Sequence, residues 1–231
     1  MAKSVMDEFA ESSFKVVGFE KRIREDRTDA LNPMKIQLGE DHPDLTVSLG
    51  GIIDRVDCYD DGSNKYVRVI DYKTGSHTFS IKKVETGEDV QLPAYLFTAA
   101  LEQNNSIFGA SENETLIPAS ALFVSAEEKD GRINAVRRGF ILSEPDVLHA
   151  SSSSLNSQML AGISFNKDGS LSKKCAAALD KDAIDGLNES LKTVVAQVGR
   201  DIYSGKAPRT PSSSACKFCS VKGSCPVAHK N

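Results

Sequence analysis

The chain has 231 residues, 40% hydrophobic and 26% charged, with 32 acidic against 28 basic side chains. That length suits one large domain with a substantial core, and the composition excludes a disordered or fibrous chain. A net charge of −4 argues against a protein that coats nucleic acid, because phosphate binding runs on Lys and Arg. No apolar run is long enough to span a bilayer, and the N-terminal MAKSVMDEFAESS lacks the apolar core of a secretory signal. No membrane partner and a cytoplasmic location are therefore expected.

Taken in chain order, residues 3–12 predict a short helix, residues 14–23 a strand, and residues 34–38 a second short strand beyond a turn-rich stretch at Asn32 and Pro33. DLTVSLGGIIDRVDCY is strongly strand-like and closes at DDGSN, a cluster of turn formers, after which KYVRVIDYK resumes the pattern. Residues 45–73 are thus expected to form an antiparallel hairpin. In DVQLPAYLFTAALEQ, Asp89 can cap a helix, Pro93 falls in its first turn, and Leu92, Leu96 and Ala99 or Ala100 recur at helical spacing. Residues 117–126 and 132–142 predict two more strands joined through EEKDG. Helices are expected over 144–160 and 180–203, the latter with apolar positions Ile184, Leu187, Leu191, Val194, Val195 and Val198. The serine run Ser151 to Ser154 is read as local composition, and Cys58 and Cys175 as small buried hydrophobes. APRTPSSSA is an extended connector. The expected fold is α/β: a central mixed sheet flanked by helices over residues 1–205, followed by a basic cysteine-bearing segment over 206–231 that packs on the same domain.

Side chains alternate faces along a strand, so in VIDYKTG Asp71 and Lys73 project together while Ile70 and Tyr72 project the other way. Asp54, in GGIIDRVD, comes to comparable depth on the partner strand. Two carboxylates converging across adjacent strands suit Mg²⁺, a hard ion that takes oxygen ligands and keeps several waters. A lysine beside them can position water or stabilise charge developing on a phosphate, which points to phosphodiester hydrolysis. The blander alternatives are a solvated strand end at Asp71 and Lys73 and a surface ion-pair set of Asp54, Arg55 and Asp57.

The ordered series G-x-x-D-R-x-D, I-D-Y-K-T-G and Q-L-x-x-Y resembles the RecB-like branch of the PD-(D/E)xK nucleases, in detail over residues 45–100. That resemblance implies a restriction-endonuclease-like core with Asp54 and Asp71 as ligands to Mg²⁺ or Mn²⁺ and Lys73 as the catalytic lysine. It offers the carbonyl of Tyr72 as a further ligand. Gln91 and Tyr95, one helical turn apart, fit the family's Gln-x-x-x-Tyr motif, and Gln91 near a helix N-terminus is well placed to meet a phosphate. Glu20 is a further acid on a neighbouring strand.

Cys216, Cys219 and Cys225 form C-x2-C-x5-C, a pattern that in a reducing compartment speaks for metal ligation. His229 would complete a Cys3His zinc site. The resemblance gives another reading, since the AddB-type chains of AddAB helicase–nucleases and the Cas4 exonucleases carry this triplet as part of a [4Fe–4S] cluster. Their upstream cysteine is absent here, as is the helical histidine that supplies a third metal ligand. None of His42, His77, His149 or His229 sits in a matching context. The expectation is an excised C-terminal domain beginning after those residues, its cluster incomplete. Five basic residues and no acidic one lie from Lys206 onward (Lys206, Arg209, Lys217, Lys222, Lys230), so this end can face DNA. No G-x-x-x-x-G-K-[ST] occurs, so ATP hydrolysis is not expected here. Of the nuclease relatives, the AddB type is preferred, acting on DNA ends in double-strand break repair alongside an A-type helicase subunit. The alternatives are a non-catalytic DNA-binding module and a Cas4-like exonuclease.

Overall fold

The computed structural model describes residues 2–25, 28–111, 114–129, 131–172, 175–206, 216, 217 and 219–225. Its centre is a six-stranded mixed sheet in the order β1-β4-β5-β6-β7-β8, built from β1 (Lys15–Ile23), β4 (Gly51–Asp60), β5 (Lys65–Lys73), β6 (Leu116–Lys129), β7 (Arg132–Leu142) and β8 (Ala178–Leu179). β5 pairs with β6 and β7 with β8 in parallel; the other neighbours are antiparallel. The expected mixed sheet flanked by helices is what forms. Among the described residues no helix is long and apolar enough to cross a membrane.

The β4–β5 hairpin turns where the sequence places it. Asp61 Oδ1 accepts from the backbone N–H groups of Ser63 and Asn64, each at 2.7 Å, and Gly62 adopts φ 89°. Its start differs from expectation. Residues 45–50 do not extend β4; instead β3 (Thr46–Ser48) pairs with β2 (Lys35–Gln37) in a separate two-stranded ribbon. The Gly50-Gly51 pair interrupts the run, and glycine in a strand marks such a break. At Gly51 a Cβ would stand 3.0 Å from the Tyr95 ring, so the bare backbone there also admits that side chain.

The crossover from β5 to β6 carries α2 (Ile81–Glu85) and α3 (Gln91–Ala99), and α3 packs on β5 and β6 with Leu92, Leu96 and Ala99 fully buried. Its N-cap is Val90, not Asp89; the Asp89 carboxylate instead accepts from the Ser80 N–H at 3.0 Å, at the start of α2. β6 runs on through Glu127 to Lys129 in place of the loop expected there. The helix expected over 144–160 ends early: α4 is Pro145–Ser151. α5 (Lys181–Tyr203) is capped by Asp180, whose carboxylate accepts from the Ala183 N–H at 2.8 Å. Ile184, Leu187 and Leu191 turn inward as expected, but Ala196 and Gly199 continue the stripe while Val198 is exposed.

The serine run proves to have structural content. Ser152 is fully buried, and its hydroxyl and that of Ser154 donate to Glu11 Oε2 at 2.9 and 2.5 Å. They hold the end of α1 (Ala2–Glu11) against the body. A second correction concerns Arg55 and Asp57, which form no surface pair. Both are buried, at 1% and 0% exposure, on the sheet face that α1 covers. Arg55 binds Asp57 through two nitrogens at 2.8 and 2.7 Å and Glu8 Oε1 at 2.8 Å; Arg68 Nε binds Asp57 at 2.8 Å, and Arg137 reaches Glu8 Oε2 at 2.5 Å. Burial pushes the Glu8 carboxyl up, yet Arg68, Arg55 and Arg137 together hold it below the ordinary carboxylate value. Removing one partner from such a network strands the others without water. Asp57→Asn should therefore lower the unfolding free energy by about 3–5 kcal/mol in urea denaturation.

Candidate active site

β4 and β5 part company where the candidate residues begin. Their ladder ends at the Arg55–Ile70 pair, while β4 stays paired to β1 as far as Gly51 and β5 to β6 as far as Lys73. The result is a fork, with Asp54 on one prong and Asp71 and Lys73 on the other. Alternation places these three side chains on the face where α3 packs, opposite the buried network of Arg55, Asp57 and Arg68. Across the fork, Asp54 Oδ2 accepts from the Tyr72 N–H at 2.7 Å.

α3 closes the site from above. The Gln91 amide donates from Nε2 to Asp71 Oδ1 at 2.9 Å and accepts at Oε1 from Lys73 Nζ at 3.2 Å, so one side chain clamps both charges. Gln91 Nε2 also lies 3.4 Å from the Tyr95 hydroxyl. Lys73 Nζ stands 2.5 Å from Asp71 Oδ2 and 5.2 Å from the centre of the Phe123 ring. Asp71 is only 4% exposed, and its Oδ2 is taken by the Lys73 ammonium. Burial pushes the Asp71 carboxyl above 3.8, with the Asp54 charge adding to the rise against the pull of Lys73 and His77.

The sequence-predicted residues Asp54, Asp71, Tyr72, Lys73, Gln91 and Tyr95 are therefore brought together. Residues 1–226 match the family model described as the PD-(D/E)XK nuclease superfamily. The chain belongs to that superfamily. Curated relatives include an ATP-dependent helicase/deoxyribonuclease subunit of Clostridium acetobutylicum, 26% identical over 96% of this chain and 20% of that protein. The proteins of the same name from Thermoanaerobacter sp. (28%, over 84% of this chain and 18% of that protein) and Clostridioides difficile (24%, over 96% and 20%) are also similar. The chain spans about a fifth of the length of the relatives it matches.

A divalent ion fits the donor set of this PD-(D/E)XK chain. Asp71 Oδ2 is held by the Lys73 ammonium, a partner that an incoming cation can replace, and Asp54 has a second oxygen beyond that used by Tyr72. Among the described residues no group of three or more His, Cys, Asp or Glu is gathered as a complete metal set. Glu20, between the pairs Phe19–Arg55 and Lys21–Ile53 on β1, is exposed at φ 49°. Cys216 and Cys225 are half-buried and Cys219 exposed, three thiols where an iron–sulfur cluster takes four. His229 lies outside the described residues.

Of two neighbours of the site, Phe123 escaped the sequence reading and His77 was set aside in it. Phe123 reaches it by pairing with Asp71 across β5 and β6, and His77 follows with its ring 5.5 Å from that of Phe123. No motif announces either; the parallel register places Phe123, and the stretch after β5 carries His77 to it.

The raised Asp71 value has a definite sign. Below pH 3.8 the carboxyl is protonated in both folded and unfolded chains. As pH rises through its higher folded-state value, the ionised form is penalised only in the folded protein, and stability is lost. In EDTA, Asp71→Asn should be more stable than wild type at neutral pH. The difference should vanish in thermal melts toward pH 3.8.

Proposed function

We propose that this domain hydrolyses DNA phosphodiester bonds with Mg²⁺ or Mn²⁺ held by Asp54 and Asp71, as the nuclease domain of a helicase–nuclease. The observation that carries the reading is the meeting of Asp54 and Asp71 on one face, with the Lys73 ammonium 2.5 Å from Asp71 Oδ2 and the Gln91 amide bridging Asp71 and Lys73. A bound divalent ion would lower the pKa of its water and neutralise phosphate charge.

The chain's own residues do the rest. Lys73 supplies a mobile ammonium that positions the attacking water and answers the charge growing on the phosphate. Gln91 sets where that ammonium and the Asp71 carboxylate sit, through the two bonds its amide makes to them. Tyr95 orients the strand beside Gln91. The carbonyl of Tyr72 is a further oxygen available to the ion. We assign the nuclease body to residues 1–205 and a basic cysteine segment to 206–231. Its three cysteines would supply three of the four ligands of a [4Fe–4S] cluster in a longer protein.

The relatives' name supports a deoxyribonuclease domain of a helicase–nuclease; we place that complex, with an A-type helicase subunit, on DNA ends in double-strand break repair. A non-catalytic DNA-binding module is the second reading, favoured by the absence of a gathered third ligand among the described residues.

End-labelled linear single-stranded DNA, incubated with Mg²⁺, Mn²⁺ or EDTA, separates the two readings. Wild type should cut only with metal, and Lys73→Ala should lose about 10²–10⁴-fold in rate, the scale of a lost acid–base or positioning group. Its DNA affinity should be nearly unchanged. A wild-type chain that binds DNA but cuts under no divalent ion would favour the binding module.

A further inference from the structure

The fork at Asp54 and Asp71 needs something to fix its opening, because the backbone ladder that would do so has ended at Arg55 and Ile70. Two side-chain ties replace it. Asp54 Oδ2 takes the Tyr72 N–H at 2.7 Å, and the Tyr72 hydroxyl accepts from Arg55 Nη1 at 3.2 Å. Tyr72 is thus held at both ends, its backbone from the site face and its ring tip from the opposite face.

Arg55 is itself immobile. It is 1% exposed, takes both oxygens of Asp57, donates to Glu8 Oε1 at 2.8 Å and lies 4.8 Å from the Phe9 ring centre. Glu8 and Phe9 belong to α1. A continuous path of contacts therefore runs from a helix on the back of the sheet, through Arg55 and the Tyr72 hydroxyl, to the residue between Asp71 and Lys73. Bidentate guanidinium pairs hold planar geometry, so displacement of Glu8 turns the Arg55 plane and moves the donor that Tyr72 uses.

We propose that Glu8, Arg55 and the Tyr72 hydroxyl are positioning residues that set the spacing of Asp54 and Asp71, so that the seating of α1 tunes affinity for the divalent cation. This rests on the reading that those two aspartates hold the ion. None of the three touches substrate or metal through the groups named.

The test is Mn²⁺ binding, followed by titration calorimetry and by the spin resonance of free Mn²⁺, beside melting temperatures in EDTA. Tyr72→Phe keeps the ring and deletes only the hydroxyl. It should weaken Mn²⁺ binding by about tenfold, the low end of what a lost outer-shell partner costs a metal site. Glu8→Gln should also weaken it, and the double variant should lose about as much as the worse single one, because both act along one path. A merely structural role would lower the melting temperature and leave Mn²⁺ affinity where it was.

Wild-type affinity in Tyr72→Phe, or losses that multiply in the double variant, would overturn the inference while leaving the metal site standing. Should Glu8→Gln fail to fold, Tyr72→Phe decides alone. A wild-type chain that binds no Mn²⁺, or binds it no better than Asp71→Asn, would sink both this inference and the metal reading beneath it.

Discussion

The end of the β4–β5 ladder at Arg55 and Ile70 is the constraint on which the rest of the site depends. While two antiparallel strands stay paired, opposed residues sit about 4.5–5.5 Å apart and their backbone groups satisfy one another. Two aspartates held at that spacing in a half-buried place would repel one another. Parting the strands frees the Tyr72 N–H, and Asp54 accepts it in place of the lost carbonyl. The same parting opens the face on which Gln91 reaches Asp71 and Lys73 from α3. Outer strands hold the prongs, β1 on one side and β6 on the other.

Those strands carry two charge clusters back to back. On the front, two carboxylates and one ammonium leave one net negative charge, and Asp71 ionises against the cost of burial. On the back, Glu8 and Asp57 face Arg55, Arg68 and Arg137, leaving one net positive charge that is satisfied by close contacts and shielded from water. The front thus calls for a cation. The back, whose guanidiniums also meet the Phe9 and Phe14 rings at 4.8 and 4.4 Å, calls for nothing further. This is why an acidic chain can still present a site suited to phosphate chemistry: a bound ion would supply the positive charge that surface Lys and Arg supply elsewhere.

The strands and the front cluster were legible because both rest on short-range rules. Alternation put Asp71 with Lys73, helical spacing put Gln91 with Tyr95, and DDGSN announced its turn. The back cluster was not legible. Arg55 and Asp57 look like surface charges until Glu8, 47 positions upstream from Arg55, and Arg137, 129 positions beyond Glu8, are seen to close around them. Ser152 and Ser154 were likewise unreadable without Glu11, and Asp89 without Ser80. In each case the partner is set by tertiary packing, which overrides a local preference such as that of Asp for a helix cap. The ribbon at Thr46–Ser48 failed for a related reason: apolar alternation continues across Gly50-Gly51, but the pairing partner changes.

The choice of cation on each face follows the work that face does. Arginine fills the back, where a planar fork can hold a carboxylate through two bonds and keep it there. Lysine fills the front, where a compact charge on a flexible stem pairs with one Asp71 oxygen, Oδ2. An arginine at position 73 would clamp Asp71 as Arg55 clamps Asp57 and deny the carboxylate to any incoming ion. Lysine leaves Asp71 paired with a charge that a bound ion would displace, and its flexible stem would let the freed ammonium turn toward water or phosphate. Gln91 suits the same exchange, since its amide oxygen holds the ammonium and its amide nitrogen the carboxylate, each separately. The site is therefore rigid where arginines brace it and yielding where an incoming cation would replace the ammonium.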